Sequence, residues 1–158
     1  MAFTITSEDF NDGEGVPRLH SCDGEDISPE LTWEGEPEGT MSYVLIVDDP
    51  DAPGGTFTHW VVYDLPAGVH NLSRGMGNVA ENMDISETIK EGTNDFDRPE
   101  YGGPCPPKGH GRHRYFFTLT ALDTPSLGLP PDASRADVEI AMQGHVLAAA
   151  KLMGVYER

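Results

Sequence analysis

Ten consecutive residues, HRYFFTLTAL from His113 to Leu122, constrain the fold more than any other stretch. His113, Tyr115, Phe117, Leu119 and Ala121 alternate with Arg114, Phe116, Thr118, Thr120 and Leu122. A period of two belongs to a strand, and it projects His113 and Tyr115 from one face near the strand's entry. The strand is fed by a stiff Gly/Pro loop, YGGPCPPKGHGR (101–112). No acidic residue lies between Glu100 and Asp123, while Lys108, Arg112 and Arg114 supply three of the chain's ten bases. Such a local reversal of charge marks one wall of a candidate anion site, and other segments must supply the rest.

The preceding strands do so. Residues 41 to 48 (MSYVLIVD) read as a buried strand with Met41, Tyr43, Leu45 and Val47 on one face, and Asp49 is next in that register. The loop DPDAPGGTF turns the chain, and 58 to 65 (THWVVYDL) form the next strand, with His59, Val61 and Tyr63 expected on one side. Paired as antiparallel neighbours, these two strands bring Asp49 and His59 to the same end of the sheet. Short strands are also expected at 2–6 and 30–34, and a weaker one at 85–90. Ser134 and Asp137 form a candidate capping box for a helix from about 135. Its stripe would be Val138, Ala141, Met142, His145, Val146 and Ala149, bent or split at Gly144, with LMGVYE as a short return strand.

Length and composition decide the remaining boundaries. At 158 residues, with 18 glycines and 13 prolines, the chain fits a single loop-rich, mainly β domain over 1–158. Its formal net charge of −17 makes nucleic acid and anionic membrane poor partners. Acids spread along the chain beside only three lysines suggest a halophile's acidic protein. No D-x-D-x-D-G spacing supports calcium. The start, MAFTITSEDF, lacks the basic and apolar regions of a signal peptide, and no apolar run spans a membrane. A cytoplasmic location follows as the expectation. Cys22 and Cys105 are too few for a disulfide framework and are not spaced for zinc. Cys105 reads as a small buried packing residue, with a reactive thiol near Lys108 and Arg112 as the alternative.

Four blocks, CDGEDISPELTW, DDPDAPGGTFTHWVVYDLP, GGPCPPKGHGRHRYFF and GHVLAAAKLMGVYER, occur in an order that resembles the phosphatidylethanolamine-binding proteins. The likeness to this family, also called Raf kinase inhibitor-like, is to its compact bacterial and archaeal branch. It implies a β-sandwich with a larger central antiparallel or mixed sheet, a smaller sheet and a C-terminal helical segment. It also implies a small pocket at one end of the sheet that accepts phosphate-like or carboxylate groups. Matched residue by residue, that pocket comprises Asp49, His59, His113 and Tyr115, with the Gly103-Pro104 backbone at its rim. A homodimer is compatible with the resemblance, though no interface is visible in the residues.

A small phosphate needs convergent donors and little competing negative charge. His59 and His113 can donate N–H, Tyr115 O–H, and the Gly103 region backbone amides. Asp49 fits by orienting a histidine or by meeting the ammonium end of a zwitterionic headgroup; its other reading is a turn-initiating aspartate. His110 and His113 are three apart, but on strand geometry they point different ways, and a metal held by Asp49, His59 and His113 is the weaker option. Lys108 and Arg112 steer anions or balance the acidic surface; Arg114 is structural, and Asp51 stabilises the turn. The leading reading is a non-enzymatic small-ligand-binding protein with an anion (phosphate or phospholipid-headgroup-like) pocket and no cofactor. The alternative is a regulatory inhibitor of a kinase or protease acting through its surface. A hydrolase ranks third, since no G-x-S-x-G or Walker-type loop is present.

Overall fold

The computed structural model describes residues 2–77 and 89–158. Among these residues, eight strands and one α-helix are arranged as β1 (Thr4–Thr6), β2 (Leu31–Glu34), β3 (Ser42–Asp49), β4 (Phe57–Pro66), β5 (Asn71–Leu72), β6 (Lys90–Glu91), β7 (His113–Leu122), α1 (Arg135–Met142) and β8 (Val146–Tyr156), with a single 3-10 turn at Arg18–His20. A three-stranded sheet of order β1-β2-β5 faces a five-stranded sheet of order β6-β4-β3-β7-β8. Every pairing between these strands is antiparallel. Of the strand expected at 85–90, residues 85–88 lie outside the described residues, and Lys90–Glu91 form β6.

The space between the sheets is the main core. Ile5, Leu31, Trp33 and Leu72 from the small sheet meet Tyr43, Leu45, Val47, Trp60, Val62, Phe117 and Leu119 from the large one. The outer face of the large sheet carries a second cluster, Val44, Ile46, Val61, Tyr63 and Leu122, covered by Ala133 and Val138. Central β3 is therefore apolar on both faces, which explains its unbroken hydrophobic run.

Two expectations are corrected here. First, His59 does not share a face with Val61 and Tyr63. The β3–β4 register steps from Val47↔Trp60 to Asp48↔Thr58, leaving His59 as the extra residue of a β-bulge. A bulge reverses the alternation, so His59 turns inward with Trp60 and Val62. Second, the C-terminal helix is shorter than its apolar stripe suggested. Ser134 Oγ accepts from the Asp137 amide at 3.1 Å and starts α1, but the helix ends at Met142. After the turn at Gly144 the chain enters an eleven-residue strand, β8, paired with β7 from His113↔Tyr156 to Leu122↔Val146. Ala148 to Ala150 favour helix by propensity, but a long ladder against β7 outweighs that preference.

A third correction concerns the cysteines. Cys22 and Cys105 are exposed and joined by a disulfide with a Cα–Cα distance of 5.4 Å. Cys105 is neither a buried packing residue nor a free thiol. The bond ties the 101–112 loop to the segment after Arg18–His20, and the Cys22 amide donates to the Pro104 carbonyl beside it at 3.1 Å. No helix among the described residues is long and apolar enough to cross a membrane.

Candidate functional site

Three strand ends converge at one end of the large sheet. Asp49 closes β3, His113 opens β7 with Tyr115 two residues on, and the bulge carries His59 from β4. All four side chains are at least 96% buried (4% exposed or less), so what each one bonds to decides what it can offer a ligand.

The cavity they floor has a volume of about 270 Å³. Ala52, Pro53, Phe57, Phe96, Cys105, Pro106 and Pro107 line the rest of it. The walls are thus mostly apolar and the floor is polar, the usual composition of a small-molecule site. The disulfide holds one wall in place, and the prolines within it limit backbone freedom.

Asp49 orients its neighbours. Its Oδ2 accepts from His113 Nδ1 at 2.6 Å, and its Oδ1 accepts from the Asp51 amide at 2.7 Å. Of the roles open to Asp49, it therefore fixes a histidine, and it also caps its own turn. Asp51 in turn holds Arg114 through a two-pronged ion pair, with Nε and Nη2 each at 2.9 Å. That pair holds the Asp51 carboxyl down at about 2. Arg114 is committed to the scaffold, as its outward register predicts.

His59 is fixed by the 101–112 loop. Its Nδ1 donates to the Gly102 carbonyl at 2.8 Å, and the Gly102 amide donates back to the His59 carbonyl at 3.1 Å. Asn94 adds a bond to the same carbonyl at 3.0 Å. Burial lowers the His59 pKa, against the opposing pull of the Gly102 carbonyl and the Asp49 carboxylate. A neutral ring with its proton on Nδ1 leaves Nε2 as a lone pair. Tyr115 packs edge-on against this ring, centroids 5.3 Å apart. Its hydroxyl is buried and closes no hydrogen bond at bonding distance among the described residues, the Asp49 carboxylate being its near acceptor. Burial, then the Asp49 carboxylate, raises its pKa strongly, so the hydroxyl keeps its proton and remains a donor.

Gly103 and Pro104 sit differently from the expected rim. Neither lines the cavity, where the wall is built by Cys105, Pro106 and Pro107. The Gly103 amide is already used, donating to Asp26 Oδ1 at 2.8 Å. Its glycine identity has a packing cause: a Cβ there would lie 2.0 Å from the His20 carbonyl oxygen. Gly103 is therefore a docking point for the loop, with its amide held by Asp26.

His110 is a residue that strand reasoning misplaced. Its Nδ1 lies 2.6 Å from His113 Nε2, so the two rings meet rather than diverge. The cause is backbone shape: Gly109 (φ 76°) and Gly111 (φ 97°) flank His110 in left-handed conformations and fold it back over the strand entry. Spacing alone could not show this, although G-H-G before a strand was a visible turn signal. Among the described residues no group of three or more His, Cys, Asp or Glu is arranged to hold a metal ion.

The family model for phosphatidylethanolamine-binding protein matches residues 6–157. A "UPF0098 protein" of Aquifex aeolicus is 56% identical over 98% of this chain and 88% of its own length. A similar protein of Pyrococcus horikoshii is 47% identical over 100% of this chain and 78% of its own. Among solved structures, Escherichia coli YbcL, described as a new member of the mammalian PEBP family, superimposes with a TM-score of 0.92 at 36% identity. That match covers 100% of this chain and 99% of YbcL. A PEBP homolog of Chlamydia trachomatis, CT736, gives 0.88 at 38% identity, covering 99% and 98%. The blocks that resembled the family, the two-sheet architecture and these matches agree, and the chain belongs to the phosphatidylethanolamine-binding protein family, in its bacterial and archaeal branch.

Proposed function

We propose that this protein binds a small ligand by its anionic head, a phosphate or a group of similar shape, in the cavity floored by Asp49, His59, His113 and Tyr115. The observation that carries this reading is the Tyr115 hydroxyl at the polar floor of a cavity with apolar walls: a buried donor that closes no hydrogen bond at bonding distance, its near acceptor being the Asp49 carboxylate already held by His113. A buried polar atom left unpaired is costly, and a native fold retains one where a ligand or water completes it. The Asp49 carboxylate is drawn onto His113, which reduces its competition with an incoming anion. A cavity of about 270 Å³ suits a headgroup-sized fragment. The chemistry in the family's name points to phosphoethanolamine as the first organic probe.

Calorimetric titration at pH 6 with inorganic phosphate and with phosphoethanolamine tests the reading. Saturable binding is expected for one or both. Tyr115→Phe, which removes the donor and keeps the ring, should weaken it about tenfold, the worth of one good hydrogen bond. The absence of saturable binding for either probe would overturn the proposal.

A further inference from the structure

An anion needs hydrogens pointed at it, and in the resting cavity those hydrogens are almost all committed elsewhere. His113 donates from Nδ1 to Asp49 Oδ2, and its other nitrogen is occupied by His110. A single N···N hydrogen bond holds one proton between two nitrogens. Whichever ring carries it, the bond presents no hydrogen to the cavity. His59 directs its Nδ1 proton to the Gly102 carbonyl, leaving Nε2 bare in the neutral ring. The Tyr115 hydroxyl closes no hydrogen bond at bonding distance, but the Asp49 carboxylate is its near acceptor. The floor therefore offers lone pairs to a ligand, although the proposed ligand is itself rich in lone pairs.

We propose that an anion enters this cavity together with a proton from solvent, and that His110 acts as the gate by occupying His113 Nε2. This rests on the anion-binding reading above and adds the proton and the gating residue to it. The proton balance is simple: protein, anion and one H⁺ combine into one complex, and nothing is released. One route places the proton on His59 Nε2, converting a lone pair into a donor while Nδ1 keeps its bond to Gly102. The other places it on the histidine pair. Two protonated nitrogens cannot share one hydrogen bond, so His110 swings away on its glycine-flanked turn and His113 Nε2–H faces the ligand.

The charged and titratable surroundings are mixed. Asp49 at the end of β3 faces His113, and Asp51 on the following loop is held by Arg114 of β7. His59 of β4 and Tyr115 of β7 share the cavity. Lys108 and Arg112 flank His110 in its own loop, and the Gly109 amide binds the carbonyl of Arg158. Imidazole is the side chain suited to exchanging a proton near neutral pH, so the proton is assigned to the histidines.

Sulfate separates the possibilities, because it remains a dianion across neutral pH and any proton taken up comes to the protein. Calorimetry in two buffers of different ionisation enthalpy, with 0.5 M NaCl to screen diffuse charge, counts that proton. Uptake of about one proton per sulfate is expected, with affinity rising up to about tenfold for each unit fall in pH. His110→Ala, an exposed loop position, should tighten sulfate binding severalfold while uptake stays near one. Binding without proton uptake overturns this inference and leaves the anion pocket standing. Unchanged or weaker binding in His110→Ala overturns the gate. No saturable binding of sulfate or phosphate overturns both readings together.

Discussion

The β3–β4 ladder carries a bulge and a buried aspartate at each of its two ends, and the ends have opposite characters. At one end the register steps around Tyr63 and Asp64, and Asp64 is saturated. It accepts from Ser126 Oγ at 2.8 Å, the Leu127 amide at 2.9 Å and Lys90 Nζ at 3.1 Å, while Lys90 also donates to the Leu129 carbonyl. Tyr63 completes that closed cluster by donating to the Pro130 carbonyl. At the other end the bulge delivers His59 and the aspartate is Asp49. There the Tyr115 hydroxyl closes no hydrogen bond at bonding distance and a cavity remains. Burial of polar groups does not distinguish the two ends. Completeness of hydrogen bonding does, and incomplete bonding beside a cavity is what points to binding.

The largest test of this contrast is Asp64→Ala. Removing one partner of a buried ion pair costs about 3–5 kcal/mol. In a domain of this size that lowers Tm by the order of 10 °C, with phosphate affinity unchanged. A small loss, or a loss of ligand affinity, would erase the distinction between a structural end and a binding end. Next comes the disulfide, which closes a chain loop of separation 83 and anchors the cavity wall. Cys22→Ser combined with Cys105→Ser should cost about 2–4 kcal/mol. Amide exchange should accelerate first in residues 101–112 and leave 126–130 protected; uniform acceleration would count against a locally held wall.

The smallest effect lies beside that ladder, where β6 pairs with β4. Glu91 on β6 accepts from Trp60 Nε1 at 2.7 Å. Burial pushes its carboxyl up to about 7, partly offset by that bond. The folded state thus binds this proton more tightly than the unfolded chain. The resulting stability is complete below about pH 4.5 and is lost as pH rises through about 7. Urea unfolding at pH 5 and pH 8 should show a fall of about 2 kcal/mol from this group, removed in Glu91→Gln. An unaltered slope in the variant would assign the pH dependence to the histidine end instead.

Much of this arrangement was legible from the chain. Alternation in 113–122 set His113 and Tyr115 on one face, and the hairpin around DPDAPGGTF brought Asp49 and His59 to one end. The face of His59 was not legible, because a bulge depends on how many residues oppose each other across two strands. His110 was misplaced because strand spacing was applied to a residue held in a glycine turn. The bond from the Gly103 amide to Asp26 was not legible either, because that partner lies 77 residues away, beyond any local pattern.

The sequence by itself determined β1 to β4 and β7, the shared face of His113 and Tyr115, and the family, since periodicity, turn residues and motif order are local properties of the chain. Tertiary structure alone decided the Cys22–Cys105 bond, the eleven-residue β8 in place of a longer helix, the inward turn of His59 and the meeting of His110 with His113. Each of these depends on a partner or a backbone reversal that local periodicity does not record. Pairing energy from distant segments, or the left-handed freedom of glycine, outweighs the local preference there.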